Sequence, residues 1–82
     1  MDKKSDFNEF LRDWLQARIK PLGEYVDPSD QAYIARERAR ELTDLAKEQG
    51  FYADLVGYLR RQSVLKFVED QYWRVNLMQK DQ

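Results

Sequence analysis

The sequence contains neither cysteine nor histidine. The absence of cysteine excludes disulfide frameworks, thiolate zinc sites and cysteine nucleophiles, and the absence of histidine removes the commonest general base and metal ligand. Ser63 has no candidate base, and Glu69 and Asp70 point about 100° apart on a helix, so these two carboxylates do not share a proton. A Gly-rich phosphate loop is also missing. We therefore predict a protein that is not an enzyme, with no catalytic residue, cofactor or metal site.

An excess of charge of one sign and a long apolar run are also absent. The 14 lysines and arginines nearly balance the 15 aspartates and glutamates, which gives a net charge of −1. No apolar run approaches the ~20 residues that span a bilayer, and the first ten residues lack the apolar core of a signal peptide. We expect a cytoplasmic protein without a membrane partner.

Aromatic residues are abundant in a chain of only 82 residues, with 2 Trp, 5 Tyr and 4 Phe. This content favours a folded chain over a disordered one, and the length favours a single domain over residues 1–82, with loose ends at 1–4 and 79–82. Apolar and polar residues alternate nowhere as in a half-buried strand. We therefore predict an all-α fold, a small bundle of three to four helices.

Glycine and proline are rare, with three and two residues, and they mark the helix ends. Asp27 followed by Pro28 is typical of a helix N-cap, and Gly50 suits the left-handed position after a helix. Ser5 can cap the first helix, which Pro21 and Gly23 follow. The spacing predicts helices at approximately 5–20, 28–49, 51–61 and 63–79.

The last third of the chain is predicted to bend near 60–63, because its apolar residues change face there, and Ser63 can cap the helix that follows. Gly57 predicts close packing between helices. The second helix is predicted to carry an acidic ridge on its solvent side, formed by Asp30, Glu37, Glu41, Asp44 and Glu48.

Two arginines, Arg18 and Arg38, occupy positions where the helical pattern favours apolar residues. Each can pack its aliphatic stem on the core and pair with an internal carboxylate. Alternatively, the guanidinium faces a partner's carboxylates or phosphates, for which Arg38 is the better candidate. The expected internal carboxylates are Asp54, Glu69 and Asp70.

An exposed aromatic residue beside an arginine is typical of interface hot spots, and Trp73 beside Arg74 fits this pattern. Alternatively, Trp73 covers the other helices, whereas Tyr72 anchors the fold or a self-interface. Our leading hypothesis is a non-enzymatic helical protein–protein interaction module, an adaptor or regulator that self-associates as a homodimer. The predicted contact residues are Arg38, Tyr33, Trp73 and Arg74.

A second hypothesis is a nucleic-acid-binding regulator. One flank of the second helix carries Tyr33, Arg36, Arg40 and Lys47, and a turn at Gly50 could add Arg60 and Arg61 to this basic surface. Alternatively, neighbouring carboxylates at helical spacing neutralise the flank as an ordinary solvated surface. A third hypothesis is a structural subunit of a larger assembly. The partner's identity does not follow from any of these patterns.

Overall fold

The structure, a computed structural model, describes residues 3–22 and 26–80. Within these ranges the chain is all-α, as predicted, with four helices and no strand. The helices are α1 (Lys3–Arg18), α2 (Pro28–Glu48), α3 (Tyr52–Leu59) and α4 (Val64–Lys80). The main packing is between α2 and α4, while α3 contacts both α1 and α2.

The start of α2 confirms the predicted N-cap. Asp27 has extended backbone angles, and its Oδ1 accepts hydrogen bonds from the backbone N–H of Ser29 at 2.9 Å and from the Ser29 hydroxyl at 2.8 Å. Pro28 occupies the first helical position, where its missing N–H costs no helical hydrogen bond. The local sequence therefore determines where α2 begins.

The end of α2 forms a Schellman motif. Gly50 has φ +79°, the Phe51 N–H donates to the Ala46 carbonyl at 2.7 Å, and the Gly50 N–H donates to the Lys47 carbonyl at 3.3 Å. Glycine accepts the left-handed conformation without the steric cost of a Cβ. The motif reverses the chain and places Phe51 against α1, where its ring lies 6.0 Å from that of Phe7 and 5.2 Å from that of Phe10.

The predicted bend between α3 and α4 is also present. Arg60 ends α3 with φ +61°, and the Gln62 N–H donates to the Leu59 carbonyl at 3.1 Å, which closes a tight turn. Ser63 caps α4 because its Oγ accepts the Lys66 N–H at 3.0 Å. Residues 52–80 therefore form two helices separated by a turn, as predicted.

The core is a single cluster of buried side chains, of which Leu42, Leu55 and Val68 are the largest that are fully enclosed. Buried alanines on α2 belong to this cluster, and their small side chains allow neighbouring helices to approach closely. The other buried residues are Phe7, Leu11, Trp14, Ile19, Ala35, Ala39, Ala46, Leu59, Phe67 and Tyr72. Tyr72 therefore anchors the fold.

Several local expectations differ from the structure. Helix α1 begins at Lys3, so Ser5 lies inside the helix and does not cap it. Gly57 is exposed and a Cβ built there would meet nothing within 4 Å, so close packing does not explain this glycine. The helices include residues 3–4 and 79–80 of the predicted loose ends. The remainder of those ends, residues 1–2 and 81–82, lies outside the described residues, as does Gly23.

Neither α1, α2, α3 nor α4 combines the length and the apolar character that crossing a bilayer requires.

Candidate interaction surfaces

The contact between α1 and α2 is built around the carboxylate of Glu41. Its Oε1 accepts a hydrogen bond from the Trp14 indole N–H at 3.3 Å and another from the Arg18 Nε, and its Oε2 accepts one from the Arg38 Nη1 at 3.2 Å. Trp14 and Arg18 lie one turn apart on α1, and Arg38 lies on α2. The three donors therefore come from both helices. One carboxylate thus joins two guanidinium groups and an indole.

This environment lowers the pKa of the Glu41 carboxyl. Burial raises the pKa, but the hydrogen bond and positive charge of Arg18, together with the Trp14 hydrogen bond and the charge of Arg38, lower it by more. Glu41 therefore stays ionised at neutral pH. The buried Nε of Arg38 has no hydrogen-bond partner among the described residues.

Glu41 corrects two expectations from the sequence. It was assigned to the acidic ridge, yet its side chain is only 27% exposed and points toward α1. Arg18 and Arg38 form internal ion pairs, but with Glu41 instead of the expected Asp54, Glu69 or Asp70. The same pairing leaves less of the Arg38 guanidinium available to a partner.

Among the large apolar side chains that the structure describes, Trp73 is the most exposed, at 64%. This exposure contradicts the alternative in which Trp73 covers the other helices. Leu77, one turn further along α4, is 45% exposed and extends the apolar surface. Sequence reasoning missed Leu77, although its i,i+4 spacing from Trp73 is visible in the sequence.

Beside Trp73 lies a groove of about 230 Å³ between the first turns of α2 and the later turns of α4, which we call the Trp73 groove. Leu22, Ala32, Ala35 and Tyr72 supply its apolar lining, and Gln31, Glu69 and Asn76 its polar lining. Small alanines on α2 open the groove because they leave the space that a larger side chain would fill.

Two of the polar lining residues already have partners. The Asn76 Oδ1 accepts the Leu22 N–H at 3.1 Å, and the Gln31 Nε2 donates to the Val26 carbonyl at 2.9 Å. The carboxylate of Glu69 has no ion pair with any described residue. The Trp73 groove therefore offers an apolar floor, an aromatic rim and one available negative charge.

The other predicted contact residues lie elsewhere. Arg74 is exposed and lines a different groove with Tyr58 and Asp70, while Arg38 pairs with Glu41. Tyr33 is 58% exposed, on the solvent side of α2. The structure therefore does not bring Arg38, Tyr33, Trp73 and Arg74 onto one surface.

The flank of α2 formed by Tyr33, Arg36, Arg40 and Lys47, which we call the arginine flank, is exposed throughout. The expected neutralising pairs are not formed, because no described carboxylate lies within 4.0 Å of its three cations. Lys47 lies over the Tyr52 ring, 5.1 Å from the ring centroid. Arg60 and Arg61 are likewise exposed and without ion pairs among the described residues.

A second groove, of about 540 Å³, lies along α1 and was not predicted. Asp6, Glu9 and Asp13 line it together with the aromatic side chains of Phe10, Trp14 and Phe51, and we call it the acidic groove. The i,i+3,i+7 spacing of its carboxylates is visible in the sequence. The aromatic wall is not, because Phe51 reaches α1 only through the turn after α2.

Comparison of the chain with protein-family models, with curated proteins and with solved structures finds no match. No group of three or more metal-ligating side chains is found in ranges 3–22 and 26–80.

Proposed function

We propose that the protein is a small, non-enzymatic helical interaction module that binds a protein partner through the Trp73 groove. The observation that carries the proposal is the exposure of Trp73 at the rim of an apolar groove. Tryptophan is enriched among the residues that dominate binding energy at interfaces, where it packs into or against a pocket. A solvent-exposed indole next to Leu77 is unfavourable in the free chain and becomes favourable once a partner covers it.

The chemistry of the groove defines the segment it fits. Its floor takes a large apolar side chain, and Glu69 favours a lysine or arginine next to that side chain. Because Gln31 and Asn76 already make internal hydrogen bonds, little polar surface is left unpaired when the segment binds. We infer a helical or extended partner segment with one apolar anchor flanked by positive charge.

The proposal is tested by placing a photo-crosslinking phenylalanine derivative at the exposed position 74, next to Trp73, in cells and identifying the protein that it captures. The purified partner is then titrated against the wild-type chain and against Trp73→Ala. We expect the alanine variant to bind about 30-fold more weakly, which corresponds to the loss of about 2 kcal/mol at a hot spot. Its melting temperature should not change, because the side chain is mostly exposed.

Tyr52→Ala is the matched control, since Tyr52 is also an exposed aromatic residue but lies on α3, away from the groove. This variant should bind as the wild type does. Equal binding by Trp73→Ala and the wild type would refute the proposal. Weaker binding by Tyr52→Ala than by Trp73→Ala would also refute it.

The nucleic-acid hypothesis and the structural-subunit hypothesis stay predictions. The one observation that favours the nucleic-acid hypothesis is that the cations of the arginine flank have no ion pairs within the described part of the chain.

A further inference from the structure

We infer that the chain associates with copies of itself head to tail, with the arginine flank of one copy seated in the acidic groove of the next. This interface is separate from the Trp73 groove and does not depend on the proposed function. The occupant of the groove is therefore a second copy of this chain. The inference rests on charge complementarity, on matching residue spacing and on the position of the two surfaces in the fold.

The acidic groove has three carboxylates on one side of α1 and one cation, Arg18, whose charge is paired with Glu41. Among residues 5–22 and 26–77, Asp6 and Glu9 have no ion-pair partner, and Asp13 has only the Arg12 guanidinium at 4.0 Å. The aromatic wall of the groove supplies apolar contact area next to this charge. An occupant must therefore bring several cations and at least one side chain that packs on aromatic rings.

The arginine flank supplies both. Arg36, Arg40 and Lys47 carry three positive charges, and the Tyr33 ring is exposed beside them. Glu37 and Asp44 lie one turn from Arg40 on the same helix, but no described carboxylate lies within 4.0 Å of the three cations. Arginine also stacks favourably on aromatic faces, such as those that line the acidic groove. The two surfaces are thus complementary in charge and in aromatic content.

The residue spacing on the two helices is the same. Tyr33, Arg36 and Arg40 follow an i,i+3,i+7 pattern on α2, and the three carboxylates of the acidic groove follow the same pattern on α1. Positions four apart on a helix are separated by about 6 Å along the axis, so Arg36 and Arg40 match the spacing of Glu9 and Asp13. Helix α2 of one copy can therefore lie along α1 of another with two charge pairs in register.

The two surfaces lie on different sides of the molecule. Glu41 faces α1, and Arg36, Arg40 and Lys47 are displaced from it by about 100° to 140° around the axis of α2. The contact is therefore heterologous, and each copy keeps one unused groove and one unused flank. Such contacts extend into chains or rings of copies rather than closing as a twofold dimer. The net charge of −1 does not oppose this growth.

The inference is tested first by sedimentation velocity of the full chain over a range of concentrations and salt. We expect the average mass to rise with concentration beyond that of a dimer. Because added salt screens exposed charges, the apparent dissociation constant should rise about tenfold between roughly 50 mM and 500 mM NaCl. A monomer under all conditions, or association that salt strengthens, would overturn the inference.

A charge swap then tests the surfaces themselves. The variants R36E/R40E and E9R/D13R should each be monomeric, because each places like charges on both surfaces. Their equimolar mixture should assemble again, since every contact between the two variants pairs opposite charges. Failure of the mixture to assemble while both variants retain wild-type helicity would contradict the inference.

The control R61E/R74E changes the net charge as much as R36E/R40E but alters exposed arginines outside both surfaces. It should assemble as the wild type does, as should Trp73→Ala, which separates this interface from the proposed function. A monomeric wild type whose arginine flank instead binds a labelled single-stranded oligonucleotide would overturn the inference and assign the flank to a nucleic acid.

Discussion

Among single residues, Glu41 is the side chain on which the contact between α1 and α2 depends. Substitution of glutamate by glutamine keeps the shape but removes the charge that two guanidinium groups share. We expect Glu41→Gln to lower the free energy of unfolding by about 1 to 2 kcal/mol at neutral pH, because hydrogen bonds to charged groups are lost or weakened. Urea denaturation measures the change. Glu37→Gln, on the exposed side of the same helix, should change stability by less than about 0.5 kcal/mol.

The pH dependence of this difference follows from the lowered pKa of Glu41. A carboxyl whose pKa is lower in the folded state contributes stability above its unfolded pKa, near 4.5, and loses it as the pH falls through the folded pKa. The stability difference between the wild type and Glu41→Gln should therefore be constant near neutral pH and shrink below about pH 4.5. A difference that stays constant down to about pH 3 would show that the charge of Glu41 is not the cause.

Among the helical elements, the two described glycines should respond in opposite ways to substitution by alanine. Gly50 has a positive φ that Ala adopts only with strain, so Gly50→Ala should lower the free energy of unfolding by about 1 kcal/mol. Gly57 lies inside α3 with open space around its Cα, so Gly57→Ala should raise it by about 0.5 to 1 kcal/mol through better helix propensity. Thermal unfolding followed by circular dichroism compares the two. If both substitutions raised, or both lowered, the free energy of unfolding, the assigned roles would be contradicted.

The same elements show which features the sequence predicts well. Asp27, Gly50 and Ser63 act on backbone groups within five residues of themselves, so their roles follow from the local sequence alone. The helix ends are therefore predicted closely, and the bend after α3 is predicted as well.

Features that depend on a neighbouring element are predicted less well. Glu41 lies at the edge of the apolar face of α2, and a helical wheel assigns a charged residue there to the solvent side. Only the arrival of α1, with Trp14 and Arg18, shows that it is half-buried. The acidic groove was missed for the same reason, since Phe51 completes it from a different helix.

For the whole molecule, the small core limits stability. The chain is elongated, with dimensions of 43 × 25 × 21 Å, and in the described part of the chain only three large side chains are fully enclosed. A chain of this length has a free energy of unfolding of about 4 to 12 kcal/mol. Each enclosed side chain therefore accounts for a large share of the total.

Alanine substitutions at Leu42 and Leu77 distinguish this core from the proposed binding surface, because the expected effects of the two substitutions differ. Leu42→Ala removes a fully enclosed side chain and should lower the free energy of unfolding by about 3 to 5 kcal/mol. This loss is comparable to the lower end of the expected total stability, so the unfolded fraction should rise. Leu77→Ala alters a side chain that is 45% exposed and should change stability by less than about 0.5 kcal/mol.

Leu42→Ala should affect stability more than Leu77→Ala does, whereas Leu77→Ala should affect the contact with the partner more. Leu77→Ala should weaken binding at the Trp73 groove while its melting curve stays that of the wild type, since Leu77 extends the apolar surface of Trp73. Leu42→Ala should regain helicity when the partner is added, because a ligand that binds only the folded chain shifts the folding equilibrium toward it. Circular dichroism with and without partner measures both effects. A Leu77→Ala variant that melts like Leu42→Ala would place Leu77 in the core and remove it from the binding surface.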